Sequence, residues 1–99
     1  MVTYGLNYEV RPGREADFEE RFGAVLDVLA TFPGHQRSRL YRDVRAPQSY
    51  LVYSEWESRE AFSAFLQSEA FNATKSWGRE EILAGRPEHT VFAKAERML

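Results

Sequence analysis

The chain has 99 residues, 43% of them hydrophobic and 14% aromatic, with 13 basic against 15 acidic side chains for a net charge of −2. That length suits one domain, 1–99, and a domain so small buries only ~60–65% of its unfolded surface, so the aromatic content points to burial against a partner. A chain with no basic excess excludes nucleic acid and anionic membranes as natural targets, and the absence of cysteine excludes disulfides, thiolate nucleophiles and cysteine-bound metals. No apolar run approaches the ~18 residues of a membrane span and no basic-then-apolar leader opens the chain, which predicts a soluble, cytoplasmic protein.

Residues 2–10 alternate, with Val2, Tyr4, Leu6, Tyr8 and Val10 on one face and Thr3, Gly5, Asn7 and Glu9 on the other. Period-two alternation predicts a half-buried strand. Arg11-Pro12-Gly13 breaks it. From Arg14 onward, Phe18, Phe22, Val25, Leu26 and Leu29 recur at helical spacing and predict an amphipathic helix. Thr31-Phe32-Pro33-Gly34 stops that helix, because the residue before proline avoids helical angles and glycine permits the turn. Residues 35–44 form a strand with one wet side, carrying Arg37, Arg39 and Arg42. Ala46-Pro47-Gln48-Ser49 turns it into the next strand, and the two make a hairpin.

Residues 50–57 are aromatic and β-branched without proline or glycine, and predict a strand running into a helix. Ser58 is placed to cap that helix, Glu60 suits its positive end, and Ala61, Phe62, Phe65 and Leu66 form its apolar face. Phe71, Trp77, Ile82 and Leu83 suggest a second helical piece, interrupted near Ser76 or Gly78 and ended by Ala84-Gly85-Arg86-Pro87. Residues 89–96 read as the last strand. The order strand, helix, strand, strand, helix, strand predicts an α+β, ferredoxin-like βαββαβ fold, a four-stranded antiparallel sheet with helices on one face. The other face, with Leu51, Tyr53 and Phe92, is then bare and apolar, and predicts a homodimer joined sheet to sheet.

In Glu9 through Phe18, in Phe32-Pro33-Gly34-His35, and in Ser54-Glu55-Trp56-Glu57-Ser58-Arg59-Glu60-Ala61-Phe62 with Phe65, Ser68 and Phe71, the chain resembles the antibiotic biosynthesis monooxygenase family of the dimeric α/β-barrel superfamily. The resemblance covers essentially the whole chain. It implies a homodimer and either a small quinone-forming monooxygenase that uses O₂ without a metal or a haem-related function. The segment Trp77-Gly78-Arg79 with Leu83, Arg86-Pro87 and His89 also resembles modules of this family found beside or fused to chlorite-dismutase-like haem proteins. The family's haem-degrading branch uses an Asn, a Trp and a His. By spacing from Gly13 these fall on Leu6, on Phe65 and near 75–77, where there is no His, so the chain departs from that branch at all three. Asn7 lies one residue from the first position, on the opposite strand face.

Phosphate loops, nucleophile elbows and metal-ligand spacings are absent from the sequence. The catalytic candidates are Asn7 and His89; a neutral imidazole at His89 is also the candidate haem-iron ligand. Phe62, Phe65, Phe71 and Trp77 are candidates for the wall of an apolar pocket between sheet and helices, although helix-face aromatics by default pack on the sheet. His35 reads as a surface or capping residue, Trp56 as core, and Glu19-Glu20 and Glu80-Glu81 as solvated helix charges. These readings converge on a monooxygenase that binds a planar aromatic molecule without a protein cofactor, the alternative being a non-catalytic haem-binding or accessory module acting with a haem enzyme.

Overall fold

The structure is a computed structural model that describes residues 1–77, 80–84 and 88–91, with Lys75 and 88–91 described by their backbone alone. The elements are β1 (Val2–Glu9), α1 (Glu15–Leu29), β2 (His35–Arg42), β3 (Ser49–Trp56), α2 (Arg59–Leu66), α3 (Glu69–Ala73) followed by a 3₁₀ turn (Thr74–Trp77), and β4 (Glu88–Val91). The strands pair antiparallel in the order β2-β3-β1-β4, the predicted ferredoxin-like topology. Tyr4, Leu6 and Tyr8 of β1, Val10 just after it, and Tyr50, Val52 and Trp56 of β3 are buried on the side that carries the helices. Thr3, Gly5 and Asn7 pair with Glu55, Tyr53 and Leu51 on the face away from the helices, where Asn7 is exposed but Thr3 and Gly5 are buried, so β1 is covered on both faces over its first half.

Local chemistry accounts for the boundaries. Ser58 caps α2 by accepting from the Ala61 N–H at 3.2 Å, satisfying one of the donors a helix start leaves free. Gly34 has φ +84, a left-handed angle that side chains disfavour. β2 stops at Arg42 instead of running to Val44, because the Asp43 carboxylate takes the N–H groups of Arg45 and Ala46 at 2.8 and 3.2 Å, which closes a turn and leaves Val44 97% exposed.

The second helical piece differs from expectation. It begins earlier, at Glu69, where the Ser68 hydroxyl accepts from the Phe71 N–H at 3.3 Å, and it ends at Trp77. Ile82 and Leu83 do not continue it. Leu83 forms a β-bridge with Val10, the Arg11 N–H donates to the Ile82 carbonyl at 2.8 Å, and the Ala84 N–H donates to the Glu9 carbonyl at 2.7 Å. The backbone of this segment finds partners beyond the end of β1, an option visible only once the two are neighbours. β4 is described through Val91; Phe92 and the remainder of the predicted last strand lie outside the described residues.

The core has two aromatic groups. Under α1, Tyr8, Phe18, Phe22, Tyr50 and Trp77 pack on one another. Under α2, Trp56 meets Phe32, Phe62 and Phe65, Phe62 stacks on Tyr4, and Phe65 touches Phe71. Edge-on and tilted contacts of this kind add to the apolar area that aromatic rings bury. No helix among the described residues is long and apolar enough to cross a membrane.

Candidate functional site

Opposed small side chains open a cleft between α1 and α3. Ala24, Val25 and Val28 form one side, Ala70 and Ala73 the other, and Trp77 lines it from the 3₁₀ turn, an open groove of about 330 Å³. Such a volume lies at the low end of the roughly 300–1,000 Å³ typical of small-molecule sites. Alanines at i, i+3 on α3 face an alanine and a valine at i, i+4 on α1, a pairing that no local pattern in the sequence reveals.

The rim is polar. Arg21 bonds both carboxylate oxygens of Glu80, at 2.9 and 3.0 Å, and the Ser76 hydroxyl lies 2.9 Å from Glu80 Oε2. The Ser76 hydrogen bond and the Arg21 guanidinium hold the exposed Glu80 carboxyl below its usual range. Two more arginines fasten the segment that carries Glu80. Arg14 donates to the Glu80 carbonyl at 3.0 Å and Arg11 to the Leu83 carbonyl at 3.1 Å.

The predicted site residues are dispersed. Phe62 and Phe65 are buried in the α2 aromatic group, and Phe71 is half-buried against it. Trp77 is the one of the four that reaches the cleft. Asn7 is exposed on the sheet face away from the helices, where it borders a second depression of about 290 Å³ with Tyr41, Ser49 and Leu51. The sheet therefore separates Asn7 from the cleft. His89 stands opposite Leu6 in the β1–β4 register, and its side chain lies outside the described residues.

His35 heads a chain of hydrogen bonds to Ser38 Oγ (2.7 Å), Ser54 Oγ (2.8 Å) and Trp56 Nε1 (2.5 Å). The indole N–H can only donate. Ser54 Oγ accepts that proton, and the direction of the Ser54–Ser38 and Ser38–His35 bonds follows the His35 tautomer. Burial lowers the His35 pKa, against a smaller opposing effect of a hydrogen bond to the Arg37 backbone. His35 does not line the cleft. Tyr50 Oη donates to Glu19 Oε2 at 2.5 Å, and its pKa is pushed up to about 12 by burial and then by the Glu19 carboxylate.

No group of three or more potential metal ligands occurs among the described residues. Haem does not fit these residues as they stand: a tetrapyrrole exceeds the cleft, aromatic rings fill the space between sheet and helices, and no described imidazole lines the cleft.

The antiparallel sheet with helices on one face defines an α+β domain of the ferredoxin-like class. The chain belongs to the antibiotic biosynthesis monooxygenase family, whose pattern matches residues 1–77. It is 38% identical over 91 residues to a candidate haem-binding protein of Halobacterium salinarum; the match covers 92% of this chain and 18% of that protein. The chain thus spans under a fifth of the length of that relative. Among solved structures, a candidate antibiotic biosynthesis monooxygenase from Bordetella bronchiseptica superposes with a TM-score of 0.81 at 28% identity, covering 94% of this chain and 95% of that one. SnoaB, a cofactor-independent oxygenase from Streptomyces nogalater, does so with a TM-score of 0.77 at 26% identity, covering 92% and 89%.

Proposed function

We propose that this chain binds a planar aromatic molecule in the cleft beside Trp77 and oxygenates it with O₂ as a monooxygenase of the antibiotic biosynthesis type. The cleft itself carries the reading: an apolar groove of about 330 Å³ lined by an indole ring, within a fold shared with a cofactor-independent oxygenase. In such chemistry the anion of an electron-rich substrate supplies the electron, and the protein supplies positioning and a dry surrounding. The Trp77 ring orients a flat ligand. Trp77→Ala is expected to weaken binding of a planar aromatic probe such as 1-naphthol at least tenfold; unchanged affinity refutes the site. Two copies joined through the sheet faces away from the helices complete the proposed assembly, burying Leu51, Tyr53 and the half-exposed Tyr41. A monomeric mass by sedimentation at micromolar concentration would oppose it. A cytoplasmic setting accords with the absence of cysteine.

A second reading is a haem-binding or accessory module, favoured by the similarity to the Halobacterium protein. Haem would then be held outside the cleft, with His89 as the candidate ligand to iron. A Soret shift on adding haem that His89→Ala abolishes supports this reading, and an unchanged spectrum excludes it.

A further inference from the structure

Beneath the Trp77 side of the cleft lies a buried polar group without a partner. Tyr8 is 1% exposed. Among the described residues its hydroxyl is the buried side-chain polar atom that makes no hydrogen bond. Phe18, Phe22 and Trp77 surround its ring. The Thr74 hydroxyl is the polar side chain within reach of the Tyr8 hydroxyl, but the two fall short of good hydrogen-bond geometry, and Thr74 gives its own proton to the Phe71 carbonyl at 2.7 Å. Native interiors rarely keep such an O–H without an acceptor. Burial also drives the phenol pKa far above its usual value, so the group stays a donor across the physiological range.

Thr74 and Trp77 both belong to the 3₁₀ turn. One side of Trp77 lines the cleft, while its ring packs on Tyr8 with centroids 6.4 Å apart. A 3₁₀ turn is held by poorer hydrogen bonds than an α-helix, so displacing it disturbs less of the backbone ladder. We infer that the cleft is the outer half of a deeper site, closed by Trp77 in this conformation, and that Tyr8 Oη is a positioning residue which donates a hydrogen bond to a neutral acceptor on the bound molecule. The acceptor is neutral because Tyr8 is enclosed by Phe18, Phe22 and Trp77, with the cation Arg21 out at the rim; a carboxylate would be desolvated there without compensation. A carbonyl oxygen on a flat ring system meets that requirement. This inference rests on the cleft being the binding site.

The test uses fluorene and 9-fluorenone, which share a ring skeleton and differ by one carbonyl, with binding followed by quenching of tryptophan fluorescence. Wild-type protein is expected to bind fluorenone about tenfold more tightly than fluorene. Tyr8→Phe is expected to erase that difference while its thermal midpoint stays unchanged or rises, because the substitution removes an unsatisfied O–H. Equal binding of the two compounds by wild-type protein overturns the role of Tyr8 and leaves the cleft standing. Failure of both to bind overturns the cleft reading as well. A lowered midpoint for Tyr8→Phe shows that the hydroxyl has an internal partner and overturns the inference independently.

Discussion

Replacing Gly34 with alanine tests how tightly the turn before β2 is locked onto α2. At φ +84, alanine pays the left-handed penalty of about 1–2 kcal/mol. Its methyl would also overlap the Ala61 Cβ, with the Ala61 Cα 3.7 Å and Glu57 Oε2 3.8 Å away. Ala61 cannot rotate clear, because α2 is held by the Ser58 cap and by burial of Phe62 and Phe65. Overpacking of this kind costs a further ~1–3 kcal/mol, so the sum is near 3 kcal/mol, a large part of the ~5–15 kcal/mol available to a domain. At 4–8 °C per kcal/mol, the thermal midpoint should fall by about 12–24 °C. Urea unfolding followed by circular dichroism should show a lower midpoint at an unchanged slope. In an Ala61→Gly background the clash disappears and the same substitution should cost only the ~1–2 kcal/mol backbone penalty. Equal costs in the two backgrounds, or a wild-type cost under ~1 kcal/mol, would refute the packing argument.

Two pH effects follow from the buried rings. The folded-state pKa of His35 is lowered from 6.5, so its contribution to stability is present in full above that pH and is lost as pH falls toward the folded-state value. His35→Gln should flatten the dependence of the urea midpoint on pH in this acid window, and parallel curves for the two proteins would count against the Ser38 chain. Tyr50 behaves oppositely: with its pKa raised from 10.0 to about 12, its contribution is intact below pH 10 and disappears as pH rises through about 12. Near-ultraviolet titration should show a late tyrosine that Glu19→Gln moves to lower pH, and no movement would mean that burial alone sets its value.

The strand β1, the helix α1, the β2–β3 hairpin and the capped start of α2 were all legible in the chain. Each depends on residues a few positions apart: alternation from Val2 to Val10, apolar spacing from Phe18 to Leu29, and Ser58 three residues before Ala61. The candidate site was legible only in part. Trp77 could be singled out, but its neighbours could not, since Ala24, Val28, Ala70 and Ala73 mean nothing until their two helices face each other. Asn7 could be placed on the face opposite Leu6, which is where the structure has it.

By itself the sequence determined the order of the strands and main helices and the two faces of the sheet, because these are written in periodicity and local hydrogen-bonding chemistry, while its motifs carried the resemblance to the family. Tertiary structure alone decided that Ile82 and Leu83 leave the helix to join the end of β1, that the aromatic side chains of α2 fill the interior instead of lining it, and that Tyr8 is buried with its hydroxyl unpaired. Those outcomes turn on contacts such as Arg11 to Leu83, 72 positions apart, where the competing partners for a backbone group or a ring are set by packing and not by neighbours in the chain.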